Sequence, residues 1–214
     1  MKVKDLKTFV VANPPPHFGG RYFTFLKLKT DDGIEGVGEV YCATFRPHVI
    51  EKMIKDIFER HVEGMNPFRI ENLWRNVYGR GYTLRPDVSL IGVLSGIEIA
   101  LWDICGKSVG KPIYELLGGR VHEKLRTYTY LYPREEKDKS PGNRNVYNDP
   151  DLAAEIAVEY LQQGFTAIKF DPTGPYSVFD PRQPSLETIK RSENFCKKLR
   201  AAGGGCLRSC TFVG

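Results

Sequence analysis

The sequence predicts an α+β domain, a three-stranded meander with helices, followed by alternating strand–helix units with parallel pairing. Strand-period segments crowd the first forty residues, helix-period segments follow, and beyond residue 120 the two alternate. These three observations divide the chain into 1–120, 121–200 and an atypical tail, 201–214.

Residues 2–11 read as one extended segment, and Tyr22–Thr30, rich in aromatic and β-branched residues, as a second. Asp31-Asp32-Gly33 marks a tight turn, from which Ile34–Tyr41 returns as the third strand. Between the first two strands lies Asn13-Pro14-Pro15-Pro16-His17-Phe18-Gly19-Gly20, where the prolines exclude helix. This loop is either a lid with His17 and Phe18 at its tip or a plain connection.

Helices follow. Val49, Ile50, Met53, Ile54, Ile57 and Phe58 recur with helical period after Pro47, and Ile70, Leu73, Trp74 and Val77 define a second amphipathic helix. A third runs from about Val88 to Lys107, capped by Asp87 or Ser89. It is apolar on nearly all sides, and Gly92, Ser95, Gly96 and Ala100 permit close packing, so it reads as a buried spine. Pro112 starts a short helix that Gly118-Gly119 ends. Then come a strand at Leu125–Tyr132, a helix at Asp149–Gln163 ended by Gly164, a strand at Phe165–Asp171 and a helix at Ser185–Arg200. A single βαβ unit does not distinguish an open sheet from a barrel.

Composition narrows the function classes. Net charge is +5, from 31 Lys+Arg against 26 Asp+Glu, and no basic stripe with interleaved aromatics occurs, so nucleic acid is not an expected partner. The densest charged run, Arg134–Lys139, mixes both signs and reads as a solvated loop. Five cysteines (Cys42, Cys105, Cys196, Cys206, Cys210) form no C-x-x-C pair, and three lie among apolar neighbours. They point to reduced, mostly inert thiols and a cytoplasmic protein. The apolar run Phe9–Ala12 is too short for a signal peptide, and no membrane span is expected.

The stretch Gly96-Ile-Glu-Ile-Ala100-Leu101-Trp102-Asp103-Ile-Cys-Gly106-Lys107, with Gly110-Lys-Pro112-Ile-Tyr-Glu-Leu116-Leu117-Gly118-Gly119, resembles the signature joining the capping domain to the barrel in the enolase superfamily, mandelate racemase/muconate lactonizing enzyme branch. The strand–turn–strand Thr30-Asp31-Asp32-Gly33-Ile34-Glu35-Gly36-Val37-Gly38-Glu39 also resembles that family's N-terminal domain, and the resemblance covers residues 1 to about 200. These motifs carry a structural role, with Trp102 a core residue. Within the branch, acid-sugar dehydratases of the galactonate and mannonate type are most similar.

The resemblance implies a capping domain followed by the first units of an incomplete (β/α)8-type barrel, a Mg²⁺ site in the full-length form, and a homo-oligomer. It also implies a reaction, loss of water from an aldonate or aldarate to give a 2-keto-3-deoxy acid. A proton α to a carboxylate is very weakly acidic, so its removal needs a metal to hold the ene-diolate charge, a base for the proton and an acid for the departing hydroxyl.

Family members often carry Lys-x-Lys at the end of the second barrel strand, and the matching stretch here is Lys169-Phe170-Asp171. Period two puts Lys169 and Asp171 on one face and Ile168 and Phe170 on the other. In a barrel the charged face points inward at the catalytic end; a buried ion pair is the alternative. Asp171 replaces the second lysine and is too weak a base, so it reads as an acceptor for a sugar hydroxyl or a partner for Lys169. By likeness to the mannonate group, Lys169 and Tyr176, on the loop Pro172–Pro184, are the catalytic candidates; a rim tyrosine is the alternative for Tyr176. Substrate-binding candidates lie on the rim loops: His17 and Arg21 with Phe18 on the first, Thr44 and Arg46 on Ala43–Arg46, and Tyr82 on Arg80–Arg85. Either arginine could hold a carboxylate in bidentate fashion, or each could be a solvated surface residue.

The family's metal ligands lie on the third to fifth strands, so no metal ligand is named here. A barrel of this kind takes about 250 residues, and beyond Val121 the sequence holds fewer than half that. The tail, with its triple glycine and two cysteines, reads as a shifted frame or a truncated product, which predicts an inactive fragment. Two other functions stay open: a non-catalytic binding or regulatory protein reusing the capping domain, and a racemase or cycloisomerase of the same superfamily.

Overall fold

Strands β1 (Val3–Ala12), β2 (Tyr22–Thr30) and β3 (Glu35–Val40) form an antiparallel sheet in that order. The structure, a computed structural model, describes every residue except 16, 18, 42–44, 81–85, 135–144, 173–182 and 205–214. It forms two units, Met1–Val121 and His122–Gly214.

In the first unit the meander forms as its alternation predicts. Leu26 and Leu28 point to the core and are fully buried, while Lys27 points away and pairs with Glu35 across the sheet. Asp31-Asp32-Gly33 turns the chain, Gly33 taking φ +93°, a conformation that favours glycine. Helix α1 (Pro47–Ile57) continues into a π turn, Phe58–Val62; α2 is Ile70–Val77, α3 Val88–Val109 and α4 Ile113–Leu116.

The spine is α3. Asp87 caps it, its carboxylate accepting from the Leu90 amide, and Gly110 ends it in the left-handed conformation at φ +66°. Val93, Leu94, Ile97, Ala100, Leu101, Ile104 and Cys105 are buried along it. Each large aliphatic residue among them contributes about 1.5–3 kcal/mol when fully buried, so α3 is a main contributor to the core of this unit. By length and composition α3 could also cross a membrane, with 22 residues and a mean hydropathy of 1.8, which corrects the expectation that no segment reaches span length. It packs instead as a core helix, because its buried residues share one cluster with β2, β3, α1 and α2.

Strand β3 approaches α3 unusually closely. A Cβ on Gly38 would lie 1.9 Å from the Gly96 carbonyl oxygen, and one on Gly36 would lie 2.1 Å from that of Ala100. No side chain fits there, so strand and helix meet backbone to backbone. Asp103 accepts from the Val37 amide at 3.0 Å and from Lys107 Nζ at 2.7 Å, and Lys107 also donates to the Glu35 carbonyl. Both tryptophan indoles, Trp74 and Trp102, donate to Glu98.

In the second unit β4 (Thr129–Tyr130) and β5 (Ile168–Lys169) pair in parallel, with α5 (Pro150–Gln162) between them and α6 (Leu186–Ala202) after. Asp149 caps α5 through the Asp151 and Leu152 amides, and Ser185 caps α6 through the Thr188 amide. The ladder is far shorter than the expected Leu125–Tyr132 and Phe165–Asp171. Alternating side chains are a local property, whereas a ladder needs a partner strand on each residue; here it holds for two residues. Leu131, Ile168 and Phe170 bury against Leu152, Ala153 and Ile156 of α5 and Phe195 and Leu199 of α6. Cys105 is a free thiol buried in the core of the first unit, and Cys196 is half-buried against the core of the second. Arg134 is exposed and pairs with Glu155 and Glu159 of α5; the remainder of the charged run lies outside the described residues.

Candidate active site

The chemistry-bearing end of the second unit begins at its two strand ends. Tyr130 and Lys169 are each the last residue of their strand and are register partners. Parallel partners project to the same face. Leu131, Ile168 and Phe170 occupy the helix-facing side, so Tyr130 and Lys169 face the other way, with Asp171 next in that series.

Lys169 is half-buried, and its Nζ lies over the Tyr130 ring, 5.7 Å from the centroid. That is cation–π range, and the negative ring face holds the ammonium. Asp171 is exposed and forms no ion pair with Lys169, so neither the buried ion pair nor the partnership expected for these residues is present. Tyr132 packs on Tyr130 with ring centroids 5.3 Å apart. Burial first, then the charges of Asp171 and Tyr132, push the Tyr130 hydroxyl up. Tyr147 is pushed up to about 12, mainly by burial and then by Tyr130, Tyr132 and Tyr160. The face of this pair turned from the helices is thus a tyrosine platform with one ammonium and a carboxylate at its edge. These tyrosines were not among the residues singled out, yet Tyr128, Tyr130 and Tyr132 alternate with Thr127, Thr129 and Leu131. That period-two signal marks one aromatic face.

The first unit carries its candidates on two loops. His17 takes φ +59°, rare for a residue with a Cβ. Its Nδ1 donates to the Asn13 carbonyl at 2.5 Å. Asn13 braces the loop by donating its side-chain amide to the Gly20 carbonyl and its backbone amide to that of Arg21. Arg21 is exposed and lines a cavity of about 270 Å³ with Gly19, Tyr22, Phe23, Glu39 and Tyr41. Arg46 is exposed at the N-cap of α1. The Tyr22 hydroxyl donates to the Phe45 carbonyl at 3.0 Å, so the residues beside Arg21 and Arg46 meet. Thr44, Tyr82, Tyr176 and Phe18 lie outside the described residues.

Among the described residues no group of three or more His, Cys, Asp or Glu side chains comes together to hold a metal ion. The donor set for the Mg²⁺ implied by the resemblance is therefore not met by them.

Comparison with known proteins gives this geometry a family. Residues 17–118 match the mandelate racemase/muconate lactonizing enzyme N-terminal domain. A D-galactonate dehydratase from Xanthomonas axonopodis pv. citri is 33% identical over 208 residues, covering 97% of this chain and 47% of that protein. Among solved structures, a mandelate racemase/muconate lactonizing enzyme-type protein from Labrenzia alexandrii is 55% identical with a TM-score of 0.89, covering 100% of this chain and 55% of that one. Another of this type, from Burkholderia, is 54% identical with a TM-score of 0.86, covering 95% and 49%. The chain spans about half the length of the relatives it matches. With the three-stranded capping sheet, the α3 signature and these likenesses in agreement, the chain belongs to the mandelate racemase/muconate lactonizing enzyme branch of the enolase superfamily.

Proposed function

We propose that this chain is the N-terminal part of a sugar-acid dehydratase that removes the proton α to a carboxylate and expels the β-hydroxyl, giving a 2-keto-3-deoxy acid. The observation that carries the reading is the lysine at the end of β5, on the face turned away from the helices, in a chain similar to galactonate dehydratases. Lys169 acts at the substrate's α-carbon, with Tyr176 as its partner in proton transfer. Asp171 accepts from a sugar hydroxyl. Arg21 and Arg46 take the substrate carboxylate, with His17, Thr44 and Tyr82 lining the rim. Family membership points to Mg²⁺ in the full-length enzyme; the described residues do not fit it, and no step here passes through it. The substrate is an aldonate or aldarate, the compartment the cytoplasm, and these 214 residues alone turn over nothing.

The test joins residues 1–202 to the remainder of the Labrenzia alexandrii protein. This fusion and the intact relative are assayed with a panel of aldonates and aldarates plus Mg²⁺. A keto acid formed by both, and lost in Lys169→Met, is the expected result. Epimerised or lactone products, or a fully active Lys169→Met fusion, overturn the reading.

A further inference from the structure

We infer that Tyr130 is a positioning residue for Lys169, holding its ammonium over the aromatic ring at the end of the parallel pair. This rests on the reading of Lys169 as the acting amine, but the contact itself is independent of it. Lysine carries four rotatable carbons, and an amine that samples them all spends little time at any one reacting atom. Three features remove that freedom. The ladder bond from the Leu131 amide to the Lys169 carbonyl, 2.8 Å, fixes the two backbones side by side. The register sets Tyr130 opposite Lys169 on the same face. Tyr132 packs on Tyr130 and stops the ring from turning away. No carboxylate pairs with Lys169 among the described residues, so the ring supplies the hold. A ring face attracts the ammonium without transferring a proton to or from it.

The ring, rather than the hydroxyl, does the holding, and this separates two variants. In the 214-residue chain, the rate of amine acylation by an N-hydroxysuccinimide ester is read lysine by lysine by mass spectrometry. Tyr130→Leu is expected to raise the rate at Lys169 about threefold, while Tyr130→Phe leaves it at the wild-type value. Lys198, which pairs with Asp151 in the same unit, reports folding and stays constant. Equal rates at Lys169 in wild type and Tyr130→Leu would overturn the assignment, as would Tyr130→Phe behaving like Tyr130→Leu. If Tyr130→Leu unfolds the unit, the wild-type chain still decides by NMR. The Lys169 Hε protons resonate upfield of those of the other lysines if they sit over the ring; unshifted protons reject the contact. Absence of keto-acid formation in the fusion protein would leave these rates and shifts unchanged, so failure of one reading is distinct from failure of the other.

Discussion

The two units are built on opposite plans. In the first, strands of ten, nine and six residues pair along nearly their whole length, with one register irregularity between Val3 and Asp5, and the edge strand is pressed onto α3 until backbone meets backbone. In the second, the ladder covers two residues, and side chains on one face do the holding while the other face carries Tyr130, Lys169 and Asp171. A unit closed by backbone contact has no room for added atoms. One closed by interdigitated side chains suffers most when atoms are removed. The difference also explains where chemistry can sit: the capping unit uses its strand–helix face for packing, whereas the β4–β5 pair carries Tyr130 and Lys169 half-buried on the face turned from the helices.

This contrast can be broken most strongly in the second unit. Phe195→Ala empties the centre of its core and is expected to cost about 4 kcal/mol, read by hydrogen exchange of α5 and α6. Tryptophan fluorescence should not respond, because both tryptophans, Trp74 and Trp102, lie in the first unit. The reverse experiment is Gly38→Val, which drives a side chain into the Gly96 carbonyl and is expected to cost about 3 kcal/mol, seen as an earlier fluorescence transition. Gly79 meets nothing within 4 Å, so Gly79→Ala should shift that transition hardly at all.

Alkali sharpens the comparison further. The folded Tyr147 hydroxyl titrates at about 12, above its unfolded value of about 10. The unfolded chain therefore loses the proton first. The stability this contributes is fully present below pH 10 and is lost as pH rises from 10 to 12, by about 3 kcal/mol in all. Tyr147→Phe should weaken that dependence in the second unit, where Tyr130 and Tyr160 are also pushed up; an unchanged alkaline slope would refute the assignment. A smaller effect is shared by the two units. Asp87→Ala and Asp149→Ala each remove an N-cap and should each cost about 1 kcal/mol, the first seen by fluorescence and the second only by exchange in α5.

Much of this fold was legible in the residues. The bounds of β2 and α2, Asp87 as one of two candidate caps of α3, the starts of α5 and α6, and Gly164 after α5 followed from alternation, helical period and capping chemistry, all of which act within a few residues; the caps Asp149 and Ser185 and the Gly110 end of α3 were not singled out. The two later strands read too long because strand-like alternation persists where no partner pairs with it. At the candidate site, the opposite faces of Lys169 and Phe170 were legible from period two. The Tyr130 platform was not singled out, although its alternation was present in Thr127–Tyr132.

By itself, the sequence determined the kind of each element and the family signature across α3, because both rest on neighbours in the chain. Only the tertiary structure decided that Gly38 and Gly36 meet the carbonyls of Gly96 and Ala100, and that Lys169 rests on Tyr130 rather than on Asp171. Those contacts join residues about forty to sixty positions apart, and their distances depend on how two backbones settle against each other, which no local pattern encodes.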